Sequence, residues 1–199
     1  MLDIKIPAPV HKFSSNTYVI SSGNECAVID PSVPYDPSLC SGKLKYILLT
    51  HSHFDHILDI DSWASTGAEV IISEHEVDFL ADPEKNCYAL FFALDKSYRG
   101  AARGVADGEV IELGEERIEV ISVPGHTVGS LIYRIGSICF VGDTVFAGGG
   151  YGRWDLPSGN YSELRRSIDK VMTYPDETVL YPGHGNATTV KDFKADFKR

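Results

Sequence analysis

The segment Thr50-His51-Ser52-His53-Phe54-Asp55-His56 places three imidazoles and a carboxylate directly after the apolar run Tyr46-Ile47-Leu48-Leu49. Packing does not call for four such side chains together, and imidazole and carboxylate are the usual ligands of zinc and iron. In an extended chain successive side chains point to opposite sides, so His51, His53 and Asp55 face one pocket. His56 falls out of that phase. A helix predicted from about Asp55, on the strength of Ile57, Leu58, Ile60 and Trp63, turns His56 onto a neighbouring position. One segment then serves two adjacent metal ions; the competing reading is a cluster of surface histidines after a strand.

Three more ligand-type residues follow strand-like runs, each beside small or turn-forming residues: His126 in Pro124-Gly125-His126-Thr127, Asp143 in Gly142-Asp143-Thr144, and His184 in Pro182-Gly183-His184-Gly185. Strand tips are where an α/β scaffold gathers a site. We assign His51, His53 and His126 to one metal and Asp55, His56 and His184 to a second, with Asp143 bridging both. Two metals about 3.5–4 Å apart can hold a hydroxide, because bound water loses its proton near neutral pH. The expected chemistry is attack of that hydroxide on an acyl carbon, with one metal polarising the carbonyl and the other stabilising the leaving group. Asp55 can also accept a proton as the leaving group departs. No G-x-S-x-G elbow and no partnered Cys-His arrangement suggests a covalent route.

The elements that must hold these residues are mostly strands. Residues 2–6, 17–20, 26–29 and 46–49 read as strands, with a turn at Gly23-Asn24 and a Pro- and Ser-rich loop from Asp30 to Gly42. Asp30 has two readings, an acceptor that orients a metal ligand or a structural hydrogen bond to the turn. A helix through Trp63 stops at Gly67, a strand covers 68–72, and a short polar helix over 74–80 leaves His75 in solvent. The aromatic stretch 83–104 is read as a helix over 87–94 packed on the core, in preference to a lid whose Tyr88, Phe91, Phe92 or Tyr98 lines the substrate pocket. Strands return at 109–113, 117–123, 130–135, 137–141 and 178–181. Arg153 and Asp155, in a glycine-rich loop, are expected to form a buried pair that pins it. Asn160 with Glu163 fits a capping box for a helix whose stripe is Leu164, Ile168, Val171 and Met172. A last polar helix covers roughly 189–197. Strands followed by helix in each half predict two sheet-plus-helix layers meeting at one site.

With 199 residues the chain is expected to be one domain, 1–199. Its 18 basic and 28 acidic residues give a net charge of −10, which disfavours nucleic acid and anionic membranes as partners. No apolar run reaches membrane-span length, and the start lacks a signal-peptide core, so a soluble cytoplasmic protein is expected. Cys26, Cys40, Cys87 and Cys139 are scattered and signal neither a thiolate zinc site nor a disulfide framework; Cys26 and Cys139 read as core residues.

Taken together, Thr50-His51-x-His53-x-Asp55-His56, Gly125-His126-Thr127, Gly142-Asp143-Thr144 and Gly183-His184-Gly185 resemble the signature of the metallo-β-lactamase superfamily, in the same order and over nearly the whole chain. The resemblance implies an α/β fold, the four-layer αβ/βα sandwich, and the same ligand assignment. Within the superfamily, Asp143, Gly152-Arg153-x-Asp155-x-Pro157 and the stretch after His184 look like the glyoxalase II group, in particular its short bacterial members without a C-terminal helical domain. That implies a thioesterase acting on a small hydroxyacylglutathione-like thioester or related ester, with two zinc ions; iron and manganese suit the same ligands. Ile57-Leu58-Asp59 departs from the small residues common after His56, and glutathione contacts are not carried over. A persulfide dioxygenase-like oxidoreductase with a single iron on His51, His126 and Asp143 is the second reading, a lactonase or β-lactamase a third, and a non-catalytic metal-stabilised domain a fourth.

Overall fold

The structure is a computed structural model that describes residues 2–92 and 97–197. One sheet contains β1 (Asp3–Lys5), β2 (Tyr18–Ser22), β3 (Glu25–Ile29), β4 (Lys43–Leu48), β5 (Glu69–Ser73) and β6 (Arg103–Val105), side by side in that order. Its first three strands are antiparallel and the rest parallel. The other sheet contains β7 (Val110–Leu113), β8 (Glu116–Ser122), β9 (Leu131–Ile135), β10 (Ile138–Gly142), β11 (Val179–Pro182) and β12 (Thr188–Thr189), again neighbours in chain order. Only β10 and β11 are parallel there. The helices are α1 (Ile60–Ala64), α2 (Tyr88–Phe92), α3 (Tyr161–Val171) and α4 (Val190–Phe197).

Strand alternation sorts the apolar residues into three layers of core. Ile20, Ile29, Leu48 and Ile71 of the first sheet meet Ile118, Val120, Tyr133 and Phe140 of the second. Their chain neighbours Val19, Val28, Ile47, Leu49 and Ile72 face the other way, onto Ile60 and Trp63 of α1. Ile132, Cys139 and Val141 likewise face outward, onto Leu164, Ile168 and Val171 of α3 and Phe193 of α4. Strands buried on both faces must be apolar throughout, which is why 46–49 and 138–141 read as continuous apolar runs. The result is the four-layer αβ/βα arrangement.

Several elements depart from the sequence reading. The helix expected from Asp55 is broken into a tight turn over Phe54–His56 and the short α1. The backbone N–H groups of His56 and Ile57 donate to the carbonyls of His53 and Phe54, and that of Asp59 donates to Pro31, so no α-helical ladder forms before Ile60. The helix expected over 74–80 is a 3₁₀ turn at Val77–Ala81, because Glu74 N–H still pairs with Val105 of β6. That strand carries Gly104 and is too short to announce itself. The helix of the aromatic stretch is α2; residues 93–96 of the expected span lie outside the described residues. Asn160 caps α3 as expected, accepting from the backbone N–H of Ser162 and Glu163 at 3.0 and 3.2 Å. The reciprocal half of the capping box is replaced, since Asn160 N–H donates to the Gly125 carbonyl at 2.8 Å. Cys26 and Cys139 are core residues as read, and His75 is exposed. Among the described residues, no helix is long and apolar enough to cross a membrane.

Candidate metal centre

The loops that follow β4, β8, β10 and β11 converge at one edge of the seam between the sheets. Hydrogen bonds between loops hold them there: Leu131 N–H to Thr50 O at 2.8 Å, Gly183 N–H to Gly142 O at 2.8 Å, and Asn16 N–H to Gly183 O at 2.7 Å. The hydroxyl of Tyr133 reaches the Leu49 carbonyl at 2.9 Å, and that of Ser32 donates to the Asp55 carbonyl. Glycine is required where backbone passes closest. A Cβ on Gly183 would collide with Asp143 and the His56 ring, and one on Gly152 with the Asp143 carbonyl and the His126 ring.

All seven residues singled out in the sequence come together here. Their donor atoms form three overlapping groups, His51 with His53 and His126, His51 with His56 and Asp143, and Asp55 with His56 and His184, each within 4.8 Å. The first and third reproduce the sequence assignment. Asp143 lies between them, with one oxygen 3.4 Å from His56 Nε2 and the other 3.6 and 3.5 Å from Nε2 of His126 and His184.

Hydrogen bonding fixes which ring nitrogens are free. His126 Nδ1 lies 2.7 Å from the Arg153 carbonyl, which can only accept, so its Nε2 keeps a lone pair. Thr50 gives its hydroxyl proton to Asp30 at 2.7 Å and therefore accepts from His51 Nδ1 at 3.1 Å, freeing His51 Nε2. The two free nitrogens stand 3.2 Å apart, and His53 Nδ1 is 2.9 Å from that of His126. Lone pairs facing one another in a buried site repel unless a cation lies between them. His56 donates from Nδ1 to Asp30 at 2.8 Å, and its buried Nε2 has no hydrogen-bond partner; the same is true of Asp143 Oδ1. Unpartnered buried polar atoms of this kind are costly on their own. The donor set therefore fits metal, in two adjoining groups. Asp30 both orients His56, one of the candidate donors, at 2.8 Å and pins Thr50, whose N–H it accepts at 2.8 Å.

In the metal-free chain, burial and then the neighbouring imidazoles push His51 well below the usual histidine range. Burial, followed by His126, takes His53 down to about 3. Burial opposes charge on His56 too, but Asp30, Asp143 and Asp55 outweigh it and raise its pKa well above the usual value. For His184, burial is likewise outweighed by Asp55 and Asp143. Burial would raise Asp55 and Asp143, yet His56 above all, with His184 and for Asp143 also His126, holds both carboxyls below the usual range.

Sequence reasoning missed Glu76. Read as part of a polar helix, it is fully buried, and its carboxylate accepts from Ser52 N–H at 2.7 Å and Gly129 N–H at 2.8 Å. It thereby ties the His51–His53 loop to the His126 loop. Nothing local marks it, since its partners lie 24 and 53 positions away. Arg153 and Asp155 do pair, at 2.7 and 2.8 Å, but with side chains 52% and 60% exposed, so the pair is not the buried one expected. The donor groups open into a cavity of about 450 Å³ whose lining includes Phe13, Phe54, Cys87, Phe91, Phe146, Arg153 and Leu156. Of the aromatic residues, Phe91 departs from the preferred core-packed reading, being 48% exposed and facing this cavity, whereas Tyr88 and Phe92 are half-buried and do not line it. Tyr98 is buried against the outer core instead.

An αβ/βα sandwich with this histidine and aspartate cluster at the seam of its sheets defines a class of metal-binding proteins. Residues 12–184 match the Metallo-beta-lactamase superfamily, and the chain belongs to it. It is 32% identical to the "Probable metallo-hydrolase YqgX" of Bacillus subtilis, over 92% of this chain and 90% of that one. It is 28% identical to "Hydroxyacylglutathione hydrolase GloC" of Haemophilus influenzae, over 92% and 91%. Among solved structures it is similar to the BLEG-1 B3 metallo-beta-lactamase, with a TM-score of 0.84, 28% identity and coverage of 96% and 95%. TTHA1623 in a di-iron-bound form gives a TM-score of 0.79 at 25% identity, with coverage of 95% and 96%.

Proposed function

We propose that the chain is a metal-dependent hydrolase that cleaves a small thioester of the hydroxyacylglutathione kind, or a related ester, with His51, His53, Asp55, His56, His126, Asp143 and His184 as metal ligands. The observation that carries this reading is the three overlapping donor groups at the floor of an open cavity, with the Asp143 oxygens within 3.4–3.6 Å of Nε2 of His56, His126 and His184. The likeness to the Haemophilus influenzae hydrolase supports the substrate class. Bound metal supplies Lewis acidity and a water of lowered pKa. Zinc is the proposed occupant, and iron suits the same donors, as the di-iron relative illustrates.

The chain's own residues do the rest. Asp30 and the Arg153 carbonyl fix the tautomers of His56 and His126, so each presents Nε2 to the cavity floor. Asp55 and Asp143 stay ionised at neutral pH, as ligands must. Hydrolysis adds water's oxygen to the acyl carbon, breaks the C–S or C–O bond and delivers a proton to the leaving group. Asp55, on the cavity wall, is the proposed proton carrier. Cys87 also lines the cavity, but burial pushes its thiol up to about 12, which makes it a poor nucleophile. The intact group of Asp55, His56 and His184 favours two metals over an oxidoreductase that uses one iron on His51, His126 and Asp143. Four free thiols accord with a reducing compartment, and the cytoplasm is the proposed one.

The test is elemental analysis of the purified chain together with a panel of thioester, lactone and persulfide substrates. Thioester hydrolysis that collapses in Asp143→Asn and His126→Ala is the expected result. Full thioesterase activity in either variant, or oxygen uptake with a persulfide and no hydrolysis, would overturn the reading.

A further inference from the structure

One wall of the cavity differs from the rest. It is made by Lys12 and Phe13 from the segment before β2, Phe54 from the histidine segment, and Phe91 from α2. Phe54 is buried and sits between His53 and Asp55 in the chain, so the aromatic surface begins at the metal ligands and runs outward. Its ring contacts Phe13 at 6.4 Å and Phe91 at 5.2 Å between centroids. Those two outer rings remain 39% and 48% exposed. Clustered rings left open to water on a concave surface are unusual in a folded chain and mark a place where a ligand completes the burial.

The same wall ends in a cation. Lys12 Nζ lies 4.7 Å over the Phe13 ring, and among the described residues no carboxylate pairs with it. Arg153, which also lines the cavity, is already held by Asp155. In a chain of net charge −10, an unpaired ammonium at the mouth of a cavity favours an anion there. About 450 Å³ suffices for the reacting bond and a ring-sized group beside it.

We propose that this wall makes the site selective for an amphipathic thioester or ester, one bearing an aryl or branched alkyl group that packs on Phe13, Phe54 and Phe91 and a carboxylate or other anion that reaches Lys12. The inference rests on the hydrolase reading above. The recognised group belongs to either the acyl half or the thiol half of the substrate, and two substrate sets separate these. In one, a fixed thiol carries acyl groups ending in methyl, phenyl or carboxyphenyl; in the other, a fixed acyl group is joined to thiols ending the same way.

With the zinc-loaded full chain, one set is expected to rank carboxyphenyl above phenyl above methyl in kcat/KM. Lys12→Gln should lower the carboxyphenyl-to-phenyl ratio about three- to fivefold, as for an exposed ion pair, and added salt should do the same. Phe91→Ala should lower the phenyl-to-methyl ratio about fivefold through lost apolar contact. Both side chains are substantially exposed or surface-borne, and circular dichroism checks that the variants fold. Equal rates within both sets, or ratios that neither variant moves, overturn the proposal while leaving the hydrolase reading intact. No hydrolysis of any member overturns both.

Discussion

Replacing Asp30 by asparagine is expected to disable half of the donor set while keeping the fold. Asp30 is 1% exposed and has a φ of 51°, a conformation asparagine tolerates, so the backbone acquires no new strain. Its carboxylate accepts from Thr50 N–H at 2.8 Å, Thr50 O–H at 2.7 Å and His56 Nδ1–H at 2.8 Å. An amide has the same shape but only one accepting oxygen. If that oxygen keeps the Thr50 N–H, the amide NH₂ faces His56 Nδ1–H, and two donors meet. His56 relieves the clash by carrying its proton on Nε2, the atom 3.4 Å from Asp143, and is then no longer a ligand. Loss of such a supporting partner weakens metal binding about 10- to 100-fold, or about 1.4–2.7 kcal/mol. Breaking the buried pair costs the metal-free chain a further about 3–5 kcal/mol. Calorimetric zinc titration, with elemental analysis after dialysis, should show two metals on the parent chain and one retained by Asp30→Asn. A variant that binds two zinc ions with parental affinities would refute the argument that Asp30 sets the His56 tautomer.

The pH dependence of the metal-free chain follows from the opposite shifts of its histidines. His51 and His53 titrate below 6.5, so as pH falls through that value the unfolded chain gains protons that the folded one refuses, and stability drops. His56 and His184 titrate above 6.5, so as pH rises past it the folded chain holds protons that the unfolded one has released, and stability drops again. Thermal melts without metal should therefore peak near pH 6.5, and zinc, competing with protons for the same nitrogens, should move the peak upward; a metal-free curve still climbing through neutral pH contradicts this. Glu76→Gln sets an amide NH₂ against the backbone N–H of Ser52 or Gly129, at about 1–3 kcal/mol, and should also weaken zinc binding; unchanged zinc affinity would confine Glu76 to a structural role. Ile168→Ala, in the outer core under α3, should cost about 2–5 kcal/mol in denaturant melts while the zinc stoichiometry of the folded chain stays at the parental value.

What the sequence shows and hides follows from the range of each interaction. The strand runs and α3 are legible because apolar periodicity and the Asn160 cap are local. The clustering of the seven candidate donors is legible because imidazoles and carboxylates recur at strand tips, where little else explains them. Glu76 is hidden because its partners are far along the chain, and α1 starts late because Asp59 is taken by Pro31, a contact no helical pattern encodes. The exposure of the Arg153 and Asp155 pair and the facing of Phe91 depend on how loops lie over the seam. Composition alone points the wrong way for both: an ion pair in a glycine-rich loop reads as buried, and an aromatic helix reads as core.

The location of the site at that seam has a thermodynamic consequence. His51 and His53 follow β4 in the first sheet, whereas His126 follows β8 in the second; Asp55 and His56 belong to the first sheet's loop, whereas His184 follows β11. Each donor group thus draws on both sheets, joining residues 75 positions apart in one case and 129 in the other. Such a group does not exist in the unfolded chain, so metal binding is coupled to the docking of one sheet on the other. Free metal at a hundredfold above its dissociation constant stabilises the folded chain by about 2.7 kcal/mol per site. Because closing a loop twice as long costs only about 0.6 kcal/mol more, the two groups are comparable as cross-links despite their different spans. The histidine segment alone completes none of these donor groups, and each forms only when the second sheet brings His126, Asp143 or His184 to it.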